Sequence, residues 1–456
     1  MRDLDTFMNN VSIVSDFIWG FPMISLFLSI GIYISFQLRW VPFVHIGHIA
    51  KNTLGSIFKK TNSKNGEVSP FAAFTSALSA TAGATNIVGV PVAIAFGGPG
   101  ALFWMWVVAF IGMSTLFAEL VLGIKYRTKN DRNEWIGGPR YYLSQGLGWK
   151  KIGWIYSFGL MLEVIPSVMV QANSVAEPLK TEYNFSPWII GLILSAITCL
   201  IVFGGIKRIG KISAVLLPIF VILYIGLTLT VIVMNSEQLP SVFALIFTSA
   251  FTQSAAVGTF AGAAVVQTMR WGLARGLYTS EAGMGTSAIA YASADTDEPV
   301  KQSFWGIIAV FIDTLLICSL TGITVIITGV WKEIEPSNAA SMVSFAFKTV
   351  FNETFSGVVM AVLLLFFVLA TVGVIIYYGE SQGEQLFGRR VKYVMRFIYL
   401  VAIIVGAIGG LKFVWELLDI MLAIIVIPNI IGIMLLTKYV KEEKEKYFEK
   451  VKKSEH

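Results

Sequence analysis

The feature that most constrains this chain is Thr81-Ala82-Gly83-Ala84-Thr85-Asn86-Ile87-Val88-Gly89, inside a hydrophobic segment from about Phe71 to Ala95. The segment is long enough to span a bilayer, yet small and polar residues interrupt its middle. In lipid a helix must satisfy its backbone groups internally. An interruption at that depth survives only where protein encloses it or it lines a cavity. In secondary transporters, broken helices of this kind build the substrate and ion site near the midplane. The chain is read on this ground as a transporter, with the stretch as half of its binding site.

Of 456 residues, 55% are hydrophobic and 14% are charged. That balance indicates an all-α, multi-pass membrane protein. Eleven spans are expected, at about 15–37, 71–96, 100–124, 152–175, 187–205, 212–235, 240–269, 303–330, 355–379, 394–410 and 413–437. Odd-numbered exits are basic: Arg39 to Lys64, Lys125 to Lys151, Lys207 to Lys211, Arg270 and Arg275, Arg389 to Arg396, and the tail from Lys438. Even-numbered exits carry little excess. The positive-inside rule then predicts an inner (plasma) membrane protein with its N-terminus outside and its C-terminus cytoplasmic. The net charge of +6 is assigned to these loops, not to nucleic-acid binding. The tail, 438–456, is expected to be a charged helix that is solvated or lies against anionic lipid. Cys199 and Cys318 fall in apolar runs, without metal spacing. No Ser-His-Asp, metal or paired-carboxylate constellation suggests an enzyme. No soluble output domain suggests a sensor, and no repeated carbonyl filter suggests a channel.

The expected seventh span holds a second polar stretch, Ala250 to Thr259. The second span runs inside to outside and the seventh outside to inside, five spans apart. Each can open a five-helix unit of opposite topology. The expected layout is one transmembrane domain, with an extra helix at 15–37, a first repeat over 71–235 and a second over 240–437. Small residues alone can serve close helix packing; two such stretches in corresponding positions favour a site. A broken helix presents N–H groups to a carboxylate and C=O groups to a cation or ammonium. A zwitterionic amino acid matches both. Neither stretch holds a charged side chain, while Thr81, Thr85, Asn86, Thr252, Gln253 and Ser254 supply hydroxyls and amides. Oxygen-rich surroundings of low charge suit Na+ and not a transition metal.

Several ordered motifs carry a resemblance: SPFAAFTSALSATAGATNIVGVPVAIAFGGPGALFWMW from Ser69, RWGLARGLYTSEAGMG from Arg270, VFIDTLLICSLTG from Val310 and YYGESQGEQLFG from Tyr377. With them, the chain resembles the alanine/glycine:cation symporter family over nearly its whole length. The resemblance implies a LeuT-like fold of 11 transmembrane helices, with spans 2–11 as its 5+5 inverted repeat. It also implies cation-driven uptake of small neutral amino acids. Gly83, Ala84 and Thr85 would hold the substrate carboxylate. The carbonyls of Phe251 and Thr252 and the hydroxyl of Ser254 would meet its ammonium. Thr81, Asn86 and Thr252 resemble one cation site. A second would use the carbonyls of Ser79, Ala82 and Phe367 with hydroxyls at positions 370 and 371. Gln171 and Asn173 either face the same cavity or hydrogen-bond between helices.

The chain departs from the family pattern at several positions. Ala370-Thr371 replaces a Ser-Thr pair, which removes one cation ligand. Ile375 stands for Trp and Val374 for Gly, which reshapes a pocket wall. Thr85 and Thr259 stand where Gly is usual, and Ser280 where Asn is. Ionisable residues inside spans are functional candidates. Asp313 is read as structural or as a gating or coupling group, and Glu163 is given no role. Glu119 and Asp419 are expected to anchor loops. Arg275, Glu281 and Glu380 are expected to latch a cytoplasmic gate. The coupling ion is read as Na+, with H+ the alternative. Beyond it no cofactor is expected, and the oligomeric state stays open.

Overall fold

Proline and short polar residues set the helix starts. Ser69 caps the helix that begins at Pro70 by accepting from Ala72 N–H at 3.2 Å. Asn352 accepts from Phe355 N–H at 2.7 Å at the head of a 35-residue helix. Each cap satisfies an N–H that the first helical turn leaves unpaired. The computed structural model describes the backbone of residues 2–56, 68–131, 133–203, 205–252 and 261–455.

The helices follow in order. They are α1 (Thr6–Gln37), α2 (Pro70–Thr81), α3 (Thr85–Gly97), α4 (Ala101–Lys125), α5 (Lys150–Tyr183), α6 (Pro187–Val202) and α7 (Gly205–Met234). Next come α8 (Leu239–Phe251), α9 (Ala261–Ser280), α10 (Thr286–Ala292), α11 (Pro299–Ile327), α12 (Glu353–Phe387), α13 (Arg389–Ile408) and α14 (Leu411–Glu455). A two-residue hairpin, Thr128–Lys129 with Trp135–Ile136, is the one sheet among the described residues. Among the described residues, eight helices are long and apolar enough to cross a membrane, and the bent pair α2–α3 makes a ninth. The protein is therefore a multi-pass membrane protein. Helix lies within each of the eleven expected segments. The fifth is short, with 16 residues in α6, and the seventh is divided between α8 and α9.

The seventh segment departs most from expectation. Trp104 Nε1 donates to the Ala250 carbonyl at 3.2 Å, and Gly100 lies against Ala250, so the end of α8 meets the start of α4. Phe243, Phe247 and Phe251 on α8 are exposed. α9, instead, runs beside α4 in the same direction. Gly97 packs on Trp271, Gly272 on Ala101, Gly276 on Met105 and Val108, and Ala282 on Gly112. Among the described residues, the element that packs along α4 is thus α9, followed by α10. Arg270 and Arg275, expected in a cytoplasmic loop, are consequently buried in α9.

The tail also differs. α14 runs unbroken to Glu455 and docks. Lys444 Nζ donates to the Leu38 carbonyl at 2.9 Å, and His48 Nε2 lies 3.0 Å from the Tyr447 hydroxyl. His45 stacks on Phe448 with ring centroids 4.0 Å apart. Lys125 pairs with Glu443 at 2.9 Å, and Lys450 pairs with Glu298. The last turns of the chain are held by protein, where the charge pattern suggested solvent or lipid.

Candidate functional site: two broken helices around an enclosed cavity

The first break interrupts the second span at Ala82, whose ψ of 72° leaves the helical region. α2 and α3 meet there at 40°. Gly83 N–H turns back to the Thr81 carbonyl at 2.8 Å. Glycine is required at 83 because a Cβ would come within 2.5 Å of Thr371 Oγ1. α3 then opens as a π-helical turn over Thr85–Gly89, a distortion that concentrates at functional sites.

The second break lies between α9 and α10. Glu281 takes φ 51°, Gly283 φ 90° and Gly285 φ 87°. A left-handed glutamate is uncommon and costs about 1–3 kcal/mol, so it persists only where its surroundings impose it. The scaffold does so. Gly283 N–H donates to Glu119 Oε2 at 3.1 Å, and Asn429 Nδ2 donates to the Gly283 carbonyl at 2.9 Å. Tyr156 donates to the Met284 carbonyl at 2.7 Å. Glu119, expected to anchor a loop, therefore pins the break. A Cβ at Gly285 would collide with Pro139 and Tyr156. The signal was present in the sequence: Glu281-Ala282-Gly283-Met284-Gly285 is, like Thr81–Gly89, a run rich in small residues.

A small cavity sits between the breaks. Its walls are Ala80 and Thr85, Glu163 and Ser167 of α5, Tyr278, Glu281 and Thr286 around the second break, and Ile375 and Tyr378 of α12. Gln171 reaches the first break, donating from Nε2 to Thr85 Oγ1 at 3.2 Å. Asn173 faces away, with Nδ2 donating to the Gly409 carbonyl at 2.7 Å and to Gly406 at 3.3 Å. It joins helices and does not line the cavity. Phe251 is 57% exposed and packs on Phe103 and Trp104, and Thr252 is exposed with its hydroxyl on the Thr248 carbonyl. Neither belongs to the cavity, which removes Thr252 from the first cation set as well. Gln253, Ser254, Gly258 and Thr259 lie outside the described residues. Sequence reasoning missed Ser167, Tyr278, Thr286 and Tyr378 as walls, and assigned Glu163 no role.

Two oxygen-rich contacts flank the first break. On one side, Asn86 Nδ2 donates to Asp313 Oδ1 at 2.6 Å. Thr314 Oγ1 donates to Asp313 Oδ2 at 3.4 Å, and Thr279 and Thr314 hydroxyls are 3.3 Å apart. Asn86 Oδ1 is buried without a partner in the structure. Asp313 lies in a π-helical stretch of its own, Phe311–Cys318, so distorted turns face each other across the contact. Thr81 donates to its own helix, at the Leu78 carbonyl, 3.1 Å away. On the other side, Thr371 Oγ1 donates to the Ser79 carbonyl at 2.9 Å, with Ala82, Phe367 and Ala370 buried around it.

The expected latch of Arg275, Glu281 and Glu380 does not form. Arg275 pairs with Asp419, both fully buried, and stacks over Trp415. Arg270 pairs with Asp16 at 2.9 Å. Glu380 takes both arms of Arg396, at 2.5 and 2.8 Å. Glu281 accepts from Ser287 Oγ at 2.6 Å. Three separate elements hold the three groups.

Two broken helices pack on long scaffold helices with a small cavity between them, an arrangement that helix-breaking transporters share. The fold is similar to that of MhsT in complex with L-phenylalanine, with a TM-score of 0.59 over 82% of this chain and 89% of that one, at 14% identity. The chain belongs to the sodium:alanine symporter family, whose model matches residues 4–456. It is 46% identical to the uncharacterized transporter YflA of Bacillus subtilis (strain 168), over 95% of this chain and 92% of that protein. It is 36% identical to the sodium/alanine symporter AgcS of Methanococcus maripaludis, over 98% and 99%.

Proposed function

We propose that the protein is a secondary active symporter that couples Na+ entry to the uptake of a neutral amino acid, with its C-terminus cytoplasmic. The observation that carries this reading is the first break itself. It is flanked by Asn86 with Asp313 on one side and Thr371 with Ser79 on the other, so the groups that would hold a cation and those that would hold the substrate share one segment. Gly83, Ala84 and Thr85 would hold the carboxylate, and Glu281 to Gly285 replaces Phe251 to Ser254 as the second half of the site. Asn86 and Asp313, with Thr81 at the end of α2, would form one cation site. Ser79, Ala82, Phe367 and Thr371 would form the other, short of the hydroxyl that Ala370 lacks. A cation bound at either site holds the break in its substrate-competent shape, which is the differential affinity that coupling requires.

Reconstitution in proteoliposomes tests the reading. An inward Na+ gradient should drive accumulation of labelled amino acid. Accumulation that follows a pH gradient without Na+ would instead make the protein a proton symporter, and binding without accumulation would make it a sensor. A second reading, a substrate with a side chain larger than alanine's, is favoured by Ile375 on the cavity wall.

A further inference from the structure

A hydrogen-bonded chain beside the cavity has no part in the transport reading. It starts at Glu163, buried on α5. Ser167 Oγ lies 2.5 Å from Glu163 Oε1 and 3.0 Å from the Tyr278 hydroxyl. Tyr278 in turn hydrogen-bonds the Gln171 side chain, and Gln171 Nε2 donates to Thr85 Oγ1 at 3.2 Å. Three side chains thus link a buried carboxyl to the residue that opens the second half of the first break. Gln171 Oε1 is the loose end: it is buried and has no partner in the structure.

The groups that face Glu163 supply no cation. Tyr278 and Glu281 face it from the second broken helix, Tyr378 from α12 and Tyr399 from α13. Tyr156 faces it from its own helix. The first break contributes Ala80 and Thr85, and α14 meets α5 here through Ile424 and Ile425 at Gly159. Arg396 on α13 is taken by Glu380. Among the described residues Glu163 makes no ion pair. Burying an unpaired charge is costly, so such a carboxyl holds a proton readily.

That proton sets the direction of the chain, because a hydroxyl donates one hydrogen and accepts others. An ionised Glu163 only accepts. It draws the Ser167 hydrogen, Ser167 draws that of Tyr278, and Tyr278 has none left for Gln171. A protonated Glu163 donates to Ser167, which frees Ser167 to donate to Tyr278 and Tyr278 to donate to Gln171 Oε1. Every link then donates toward Thr85, and the unpartnered oxygen gains the donor that burial demands. We propose that Glu163 is a proton-binding positioning residue that acts through Ser167, Tyr278 and Gln171 on Thr85, so that the first break holds the substrate carboxylate best when Glu163 carries a proton. The inference rests on the amino-acid transport reading above and deepens it. By linkage, bound substrate tightens the hold on the proton to the same extent. Tight binding is complete at low pH and is lost as pH rises through the titration of Glu163.

The test measures thermal stabilisation of the purified full-length protein in detergent at saturating Na+, titrated with glycine, L-alanine and L-glutamine from about pH 5 to pH 9. In the unaltered protein, the affinity of whichever amino acid binds should fall about tenfold across that range. Glu163→Gln keeps a donor toward Ser167, and should hold the low-pH affinity to within about twofold at every pH. Ser167→Ala and Tyr278→Phe cut the chain while leaving Glu163 in place. Each should bind weakly at every pH, with the slope gone. A flat profile in the unaltered protein, with binding intact, overturns the relay alone. So does a slope that survives in Glu163→Gln. A slope unchanged in Tyr278→Phe overturns it even if the glutamate variant fails to fold. Failure of all three amino acids to bind at any pH overturns the transport reading and the relay with it.

Discussion

Thr371 Oγ1 donates to the Ser79 carbonyl at 2.9 Å and at the same time occupies the space that a Cβ on Gly83 would need. One hydroxyl thereby ties α12 to the end of α2 and dictates the residue at the break. Gly83→Ala is expected to lower Na+-driven uptake more than tenfold. Thr371→Ala should raise the Na+ concentration for half-maximal uptake about tenfold, equivalent to about 1.4 kcal/mol of binding. Thr371→Ser should restore it, because the hydroxyl and not the methyl makes the contact. Uptake measured against Na+ concentration checks all three.

Asp313 and Asn86 make the corresponding contact on the other face. Asp313→Asn keeps the shape and removes the charge. It is expected to raise the half-saturating Na+ concentration at least tenfold while the protein still folds. Unchanged Na+ dependence would assign Asp313 a purely structural role. The measurement is Na+-dependent thermal stabilisation, which does not require transport.

Arg275 and Asp419 form a buried pair within the membrane domain. Removing one partner strands the other charge. Arg275→Ala is expected to destabilise by about 3–5 kcal/mol, whereas replacing both residues with apolar ones of similar volume should cost far less. Thermal unfolding in detergent distinguishes the two, and a double-mutant cycle gives the coupling.

Ile375→Trp would refill the wall that the family pattern closes. Affinity for amino acids longer than alanine should fall at least tenfold, and glycine should be affected least. Competition against a labelled substrate in proteoliposomes reads this directly.

The docked tail gives a pH prediction. Burial, then Lys444 and then His48, hold the His45 imidazole below its usual pKa of 6.5. A pKa lowered in the docked state means that docking favours the neutral ring. Its contribution is complete above about pH 6.5 and is lost as pH falls through the lowered value. Limited proteolysis beyond Lys438 should therefore accelerate below that pH, and Phe448→Ala should accelerate it at pH 7.

The first break was legible because residues 81–89 are contiguous and interrupt an apolar run, so local pattern and consequence coincide. The break at Glu281–Gly285 was not foreseen. Ala250 to Thr259 has the right composition, but α9 carries Arg270 and Arg275, and charged residues read as a loop. Their partners, Asp16 and Asp419, lie on the first and last spans. No local pattern reveals that a charge is neutralised from so far along the chain. Asn173 was ambiguous for a related reason, since helical spacing does not say which neighbour a face meets. The tail was misread because its charges suit water, while its aromatic residues, Tyr447 and Phe448, meet His45 and His48 only once the chain is folded.

By itself, then, the sequence determined a polytopic helical membrane protein, the family, and the position of the break at Gly83. These follow from contiguous apolar runs and ordered motifs, and lipid leaves such runs little choice but helix. Tertiary structure decided which second segment faces that break, which ions are paired and which side chains share the cavity. Those depend on packing among elements far apart in the chain. Only that packing brought Glu163, Glu281 and Tyr378 to one space beside the interruption in the second span.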